Sequence, residues 1–205
     1  NYGGNDEFYF PLLHYIFGEN VTFKDLFSED EAMYTNYTKR NCELWVSELE
    51  EYMEQDLDEE TVQSLQEEIE TVKKNYGKGF LEVPEETDFE IKGTSEPENI
   101  YILSDYYCGS SGDTFVSNAK KSNKVTVVGR PTMGIMDYFN VVTVDYGEYI
   151  FNYSISKMHK NSFTYGKGVQ PDIYIPWTPD HLSEDQDLIY VKQLIQKNNE
   201  YNTIN

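Results

Sequence analysis

A chain of 205 residues with 16 Lys and Arg against 37 Asp and Glu carries a formal net charge of −21. That excludes the basic face that nucleic acid requires, so no nucleic-acid partner is expected, and it disfavours an anionic membrane surface. Aromatic residues make up 15% of the chain, which separates it from a disordered acidic tail and allows one domain with a core. Cys42 and Cys108 are the only cysteines, too few for a disulfide framework or a zinc site. No apolar run is long enough to span a membrane. No phosphate-binding glycine loop and no cluster of metal ligands is visible, so no cofactor and no metal is expected.

Asn1-Tyr2-Gly3-Gly4-Asn5 reads as a loop opening onto a helix, with Asp6 and Glu7 in its first turn and Phe8, Tyr9, Leu12, Leu13, Ile16 and Phe17 as its apolar residues. Pro11 fits only near the start of that helix, and His14 on it reads as a packed or surface histidine. Asn20–Lys24 is a candidate short edge strand, and the rest of 18–40 is mixed. From Asn41 to Tyr76 the pattern is helical and acidic, with no Lys or Arg between Arg40 and Lys73. Asp58 followed by Glu59 and Glu60 is a helix cap with an acidic first turn. Val62, Leu65, Ile69 and Val72 form an apolar stripe that Leu44, Trp45 and Leu49 would face. Residues 41–76 therefore read as a helical hairpin inserted into a single domain spanning 1–205. Residues 80–98, with Pro84 and Pro97, read as a connector with little regular structure.

Ile100–Ser104 is an apolar, β-branched run, expected as a buried strand. Cys108-Gly109-Ser110-Ser111-Gly112-Asp113 follows as a Gly-rich turn. Phe115, Val116 and Ala119 then recur at helical spacing, and Lys124–Gly129 is a second apolar run. The order is a βαβ unit with a serine on the turn before its helix. Such a turn lifts a hydroxyl out of the sheet and offers it the unpaired N–H groups of a helix N-terminus, which suits a nucleophile. The plainer reading is a capped Gly/Ser turn. Downstream, Gly129–Gly134 is a loop, and Asn140–Tyr146 and Tyr149–Ile155 are the strands of a hairpin around Gly147-Glu148. Residues 156–165 look irregular, Ile173–Pro176 is a last short strand, and Asp185–Lys197 is an amphipathic helix.

Four separated motifs, in order, resemble the catalytic core of the C-terminal processing (tail-specific) peptidases and their tricorn-core branch. They are Asn1-Tyr2-Gly3-Gly4, Tyr107-Cys108-Gly109-Ser110-Ser111-Gly112-Asp113, Val128-Gly129-Arg130-Pro131-Thr132-Met133-Gly134 and Gly166-Lys167-Gly168-Val169-Gln170-Pro171-Asp172-Ile173. The resemblance implies an α/β fold with a Clp protease/crotonase-like core, a mixed sheet, flanking helices and here an acidic helical insertion. It implies a serine-type peptidase acting on polypeptides. By motif position Ser110 is the nucleophile, and the backbone N–H groups of Gly4 and Ser111 form the oxyanion hole.

The departures bear on the general base. The processing branch places a lysine where this chain has Ile135, so a Ser–Lys pair is not expected. The tricorn-like branch takes a histidine from a segment before the Gly-Gly motif and an acid where this chain has Tyr165. His14, His159 and His181 match no base of the family. The expectation is therefore a peptidase core incomplete at its N-terminus, inactive alone, with its base supplied upstream of residue 1 by its own chain. The alternative is a degenerate peptidase fold that binds peptides or acts as a scaffold. A crotonase-like acyl-CoA enzyme is disfavoured because the chain lacks a basic patch for the CoA phosphates. By the resemblance, a site outside the cytoplasm is favoured over a cytoplasmic one.

Overall fold

Helices and strands are interspersed along the chain in this computed structural model, which describes residues 3–4, 6–27, 32–84, 90–159 and 164–204. A 3-10 turn at Asp6–Tyr9 leads into α1 (Phe10–Ile16), then β1 (Val21–Thr22), α2 (Phe23–Leu26) and β2 (Met33–Tyr37). Next come α3 (Lys39–Tyr52), α4 (Glu59–Lys74), β3 (Gly79–Glu82), β4 (Glu90–Ile91) and β5 (Ile100–Ser104). The chain continues through α5 (Ser111–Ala119), β6 (Val125–Gly129), β7 (Tyr138–Asp145), β8 (Ile150–Met158), β9 (Ile173–Tyr174) and α6 (Gln186–Ile204). These elements fall into two compact units, one from residues 1–28, 86–136 and 162–205, the other from 29–85 and 137–161.

The first unit is built on the βαβ order read from residues 100–129. β5 and β6 pair in parallel from Ile100↔Val125 to Ser104↔Gly129, and β9 adds to β6 in parallel at Val128↔Ile173. A parallel sheet covered on both faces accounts for the apolar run of β6, where Val127 and Val128 are fully buried. One side of α5 places Ala119 in a core with Leu13, Ile16 and Leu26, and Val116 packs with Val127 and Val169. Burying each Val, Leu or Ile side chain among these contributes about 1.5–3 kcal/mol. Lys124 opens β6 yet is buried, because its Nζ donates to the carbonyls of Tyr15 (2.6 Å) and Thr94 (2.8 Å). The edge strand expected over Asn20–Lys24 is only two residues long. The Asp25 carboxylate accepts the Thr22 N–H at 2.6 Å and its hydroxyl at 2.8 Å, so the chain turns into α2 instead.

The second unit is an antiparallel sheet in the order β3-β2-β8-β7 with α3 and α4. β7 and β8 form the expected hairpin, and the Tyr146 N–H donates to the Tyr149 carbonyl at 3.0 Å across Gly147-Glu148. Three expectations need correction. β2 and β3 lie in stretches read as mixed and as connector, and β8 runs to Met158 rather than ending at Ile155. The cause is pairing at long range: Thr35 lies opposite Ser156, and their hydroxyls meet at 2.8 Å. On the helices, Leu65, Ile69 and Val72 are buried as the stripe predicted, with Val72 against Tyr37, Cys42, Trp45 and Val46. Glu48 on α3 accepts the N–H of Thr143 at 2.6 Å, occupying a donor of the sheet-edge strand β7.

Asp58 caps α4 by accepting the Thr61 N–H at 2.8 Å. That bond, with the Thr61 hydroxyl, holds its carboxyl below the ordinary range. A depressed carboxylate stabilises the fold above its unfolded pKa and loses that contribution as pH falls through its folded value. Circular dichroism of the full chain should therefore show helix lost between about pH 4 and lower values. Asp58→Ala should flatten that limb, and an unchanged acid limb in the variant would count against the cap.

Candidate active site

Ser110 is the residue immediately before α5, and its backbone sits at φ 54°, ψ −121°. A side chain rarely adopts that conformation without cost, typically about 1–3 kcal/mol, and such outliers persist only where surrounding contacts enforce them. The enforcing contacts are visible. The Asp113 carboxylate is fully buried and accepts three backbone N–H groups: Ser110 at 3.0 Å, Gly134 at 2.9 Å and Ile135 at 2.9 Å. One side chain thus pins the serine turn and the loop after β6 together. That loop is bound a second time, since the Met133 N–H donates to the Cys108 carbonyl at 2.8 Å.

The Gly-Gly segment closes on the same serine. A Cβ on Gly3, whose φ is +102°, would come within 2.8 Å of Ser110 Cβ and 3.3 Å of its Oγ. Only glycine allows that approach. Gly4 is held from the other side, because Ser111 Oγ donates to its carbonyl at 2.5 Å. Asn1 and Tyr2, the first half of that motif, lie outside the described residues. The N–H groups of Gly4 and Ser111 make no backbone hydrogen bond among the described residues. Burial pushes the Asp6 carboxyl above its ordinary value, with the neighbouring Ser111 hydroxyl acting in the opposite sense.

Cys108 is the one thiol in the turn. Burial pushes its thiol up, which keeps it protonated and unreactive at neutral pH. Ile135 is 45% exposed, and its side chain lies against Gly109, within 3.1–3.2 Å of where a Cβ would stand. Tyr165 is exposed as well, on the turn that precedes Gly166. The histidines are engaged elsewhere. His14 Nδ1 meets the Lys92 carbonyl at 2.5 Å, and the His159 ring lies against Tyr34, with 5.6 Å between the ring centroids. His181 Nδ1 lies 3.1 Å from both the N and the carbonyl O of Thr178, and its Nε2 lies 3.4 Å from the Asp187 carboxylate. No His or Lys side chain is hydrogen-bonded to Ser110 among the described residues.

Three motif residues serve the scaffold. Arg130 forms a bidentate pair with Asp187, at 3.1 and 2.6 Å, and both side chains are nearly buried. Thr132 accepts the Val169 N–H at 2.7 Å, locking the Gly-Arg-Pro-Thr loop to the Gly-Val-Gln-Pro-Asp segment. Asp172 extends that lock by accepting the Val127 N–H at 2.8 Å and pairing with Lys120 at 2.7 Å. The residue that sequence reasoning passed over is Asp113. Its position three after Ser110 is a capping-box spacing, but its bonds to residues 134 and 135 have no local signature. Among the described residues no group of His, Cys, Asp and Glu could hold a metal ion. No helix there is long and apolar enough to cross a membrane.

A mixed α/β core with a Gly-rich serine turn between β5 and α5 is consistent with a serine peptidase fold of the Clp and crotonase type, which the comparisons support. Residues 19–175 match the model of peptidase family S41, and the chain belongs to that family, which includes the C-terminal processing peptidases. Two solved structures share the fold. A chain from Parabacteroides merdae ATCC 43184 described as a peptidase aligns with a TM-score of 0.51 at 13% identity, over 95% of this chain and 49% of that one. Mature CPAF in complex with lactacystin aligns with a TM-score of 0.52 at 14% identity, over 95% of this chain and 41% of that one. The chain thus spans about half or less of the length of the structures it matches. No curated protein matches the sequence.

Proposed function

We propose that the chain is the nucleophile-bearing part of a serine endopeptidase, in which Ser110 attacks the carbonyl of a polypeptide and the N–H groups of Gly4 and Ser111 hold the oxyanion. The observation that carries the reading is the Ser110 turn, held at a costly backbone conformation by Asp113 and packed against Gly3. Support for the oxyanion role comes from two donors left without backbone acceptors on either side of the serine, with the Gly4 carbonyl tethered by Ser111. A donor of this kind contributes about 3 kcal/mol to the transition state. The reaction adds Ser110 Oγ to the carbonyl carbon, passes the hydroxyl proton to a base and then to the leaving amine, and ends with hydrolysis of the acyl-enzyme. The base in this reading comes from chain outside residues 1–205.

The test is to treat the full-length chain with a fluorophosphonate probe and map the label by peptide mass. Label on the peptide holding Ser110 supports the reading, and label on another serine ends it. Full-length chain that takes no label favours the second reading, a peptide-binding or scaffold module. The features that favour that second reading are Ile135 and Tyr165, which stand where family members carry a base and an acid.

A further inference from the structure

A cavity of about 480 Å³ opens in the first unit beside the serine turn. Its floor includes Pro131, Thr132 and Met133. Met133 is the residue tied to the Cys108 carbonyl and packed against Gly109, so one wall continues directly into the turn that carries Ser110. Tyr106 and Tyr174 form exposed aromatic sides. Arg130 and Lys167 complete the lining with Gly166, and the lining contains no carboxylate. In a chain with 37 acidic and 16 basic residues, a lining of two cations and no acid is the reverse of the general surface.

The two cations are not equivalent. Arg130 is neutralised by its bidentate pair with Asp187 and donates further to the Ile175 carbonyl at 3.2 Å. Lys167 has no ion pair among the described residues. Its ammonium is therefore the one charge of the lining without an ion pair among the described residues, and Tyr106 and Tyr174 share that lining with it. The aromatic sides suit a methylene stem, and the ammonium suits a carboxylate at its end.

We infer that this cavity is a subsite for an acidic side chain of the bound polypeptide, glutamate above all, with Lys167 as its counter-charge and specificity residue. The inference rests on the peptidase reading for its polypeptide ligand. At physiological ionic strength the overall negative field is screened within about 8 Å, so the local ammonium governs the contact.

The test is binding rather than turnover, so it does not depend on Ser110 acting as a nucleophile. Fluorescein-labelled octapeptides of Ala and Ser, blocked at both ends and carrying one central Glu, Gln or Lys, are titrated by anisotropy into the full-length Ser110→Ala protein in 150 mM salt. The Glu peptide should bind about tenfold tighter than the Gln peptide, the scale of one close charge pair. Lys167→Gln should erase that difference, and Lys167→Glu should transfer the preference to the Lys peptide. A Glu preference that survives Lys167→Gln, or equal binding of all three peptides, overturns the inference. A fourth peptide with a free C-terminus and no Glu separates the sources of the carboxylate. If it binds as the Glu peptide does and loses that affinity in Lys167→Gln, the cavity takes a chain end and the side-chain assignment fails. Should Ser110 prove unlabelled by the fluorophosphonate while the Glu preference holds, the subsite stands and the nucleophile assignment falls.

Discussion

Ser110→Gly is expected to leave the full-length protein about 1 kcal/mol more stable and, on the proposed reading of Ser110 as the nucleophile, to lower peptide hydrolysis by about 10⁴–10⁶-fold. The stability half follows from the backbone. Ser110 sits at φ 54° and ψ −121°, a conformation costing a side-chain-bearing residue about 1–3 kcal/mol and glycine almost nothing. The extra freedom of glycine in the unfolded chain returns about 0.5–1 kcal/mol, so a modest net gain remains. Ser110→Ala removes the hydroxyl and keeps the strain, so it should lose the same activity with no gain in stability. A denaturant midpoint for Ser110→Gly equal to or below that of Ser110→Ala would show that the turn stores no strain. Paired variants thus separate the chemical role of the hydroxyl from the backbone cost of presenting it.

Asp113→Ala should destabilise the fold by at least about 3 kcal/mol and abolish labelling at Ser110. Three N–H groups converge on this buried carboxylate, and each hydrogen bond to a charged acceptor is worth about 1.5–3 kcal/mol. Removing it strands those donors and frees the serine turn from the 134–135 loop. Asp113→Asn is the sharper variant because it keeps the volume. One oxygen becomes an NH₂ that must face an N–H, donor against donor, so the loss should approach that of alanine. A denaturation curve for Asp113→Asn that overlays the parent would sink this account.

Much of the first unit was legible in the sequence. The β5–α5–β6 order could be read because a β-branched run, a Gly-rich turn and helical spacing are local signals over some thirty residues. The cap of α4 at Asp58 and the stripe through Leu65, Ile69 and Val72 were legible for the same reason. β2 and β3 were not. They are five and four residues long with weak alternation, and what makes them strands is pairing with partners far along the chain, such as Thr35 with Ser156, 121 residues apart. At the candidate site, the Gly-rich turn between strand and helix pointed to Ser110, and only the resemblance of four ordered motifs to the family pointed to Gly4 and Ser111. No spacing could show that Asp113 ties Ser110 to Gly134 and Ile135, or that Arg130 is neutralised by Asp187 while Lys167 is not.

By itself the sequence determined the serine turn, which rests on backbone demands that glycine and short polar side chains meet locally, and the order of its four motifs carried the resemblance to the family. Tertiary structure decided the rest. It set which N–H groups Asp113 holds, which donors beside Ser110 have no backbone acceptor among the described residues, and that the cavity beside the serine turn is lined without a carboxylate. The physical reason is that a hydrogen bond or an ion pair depends on separation in space, and the chain sets that separation only once distant segments have packed.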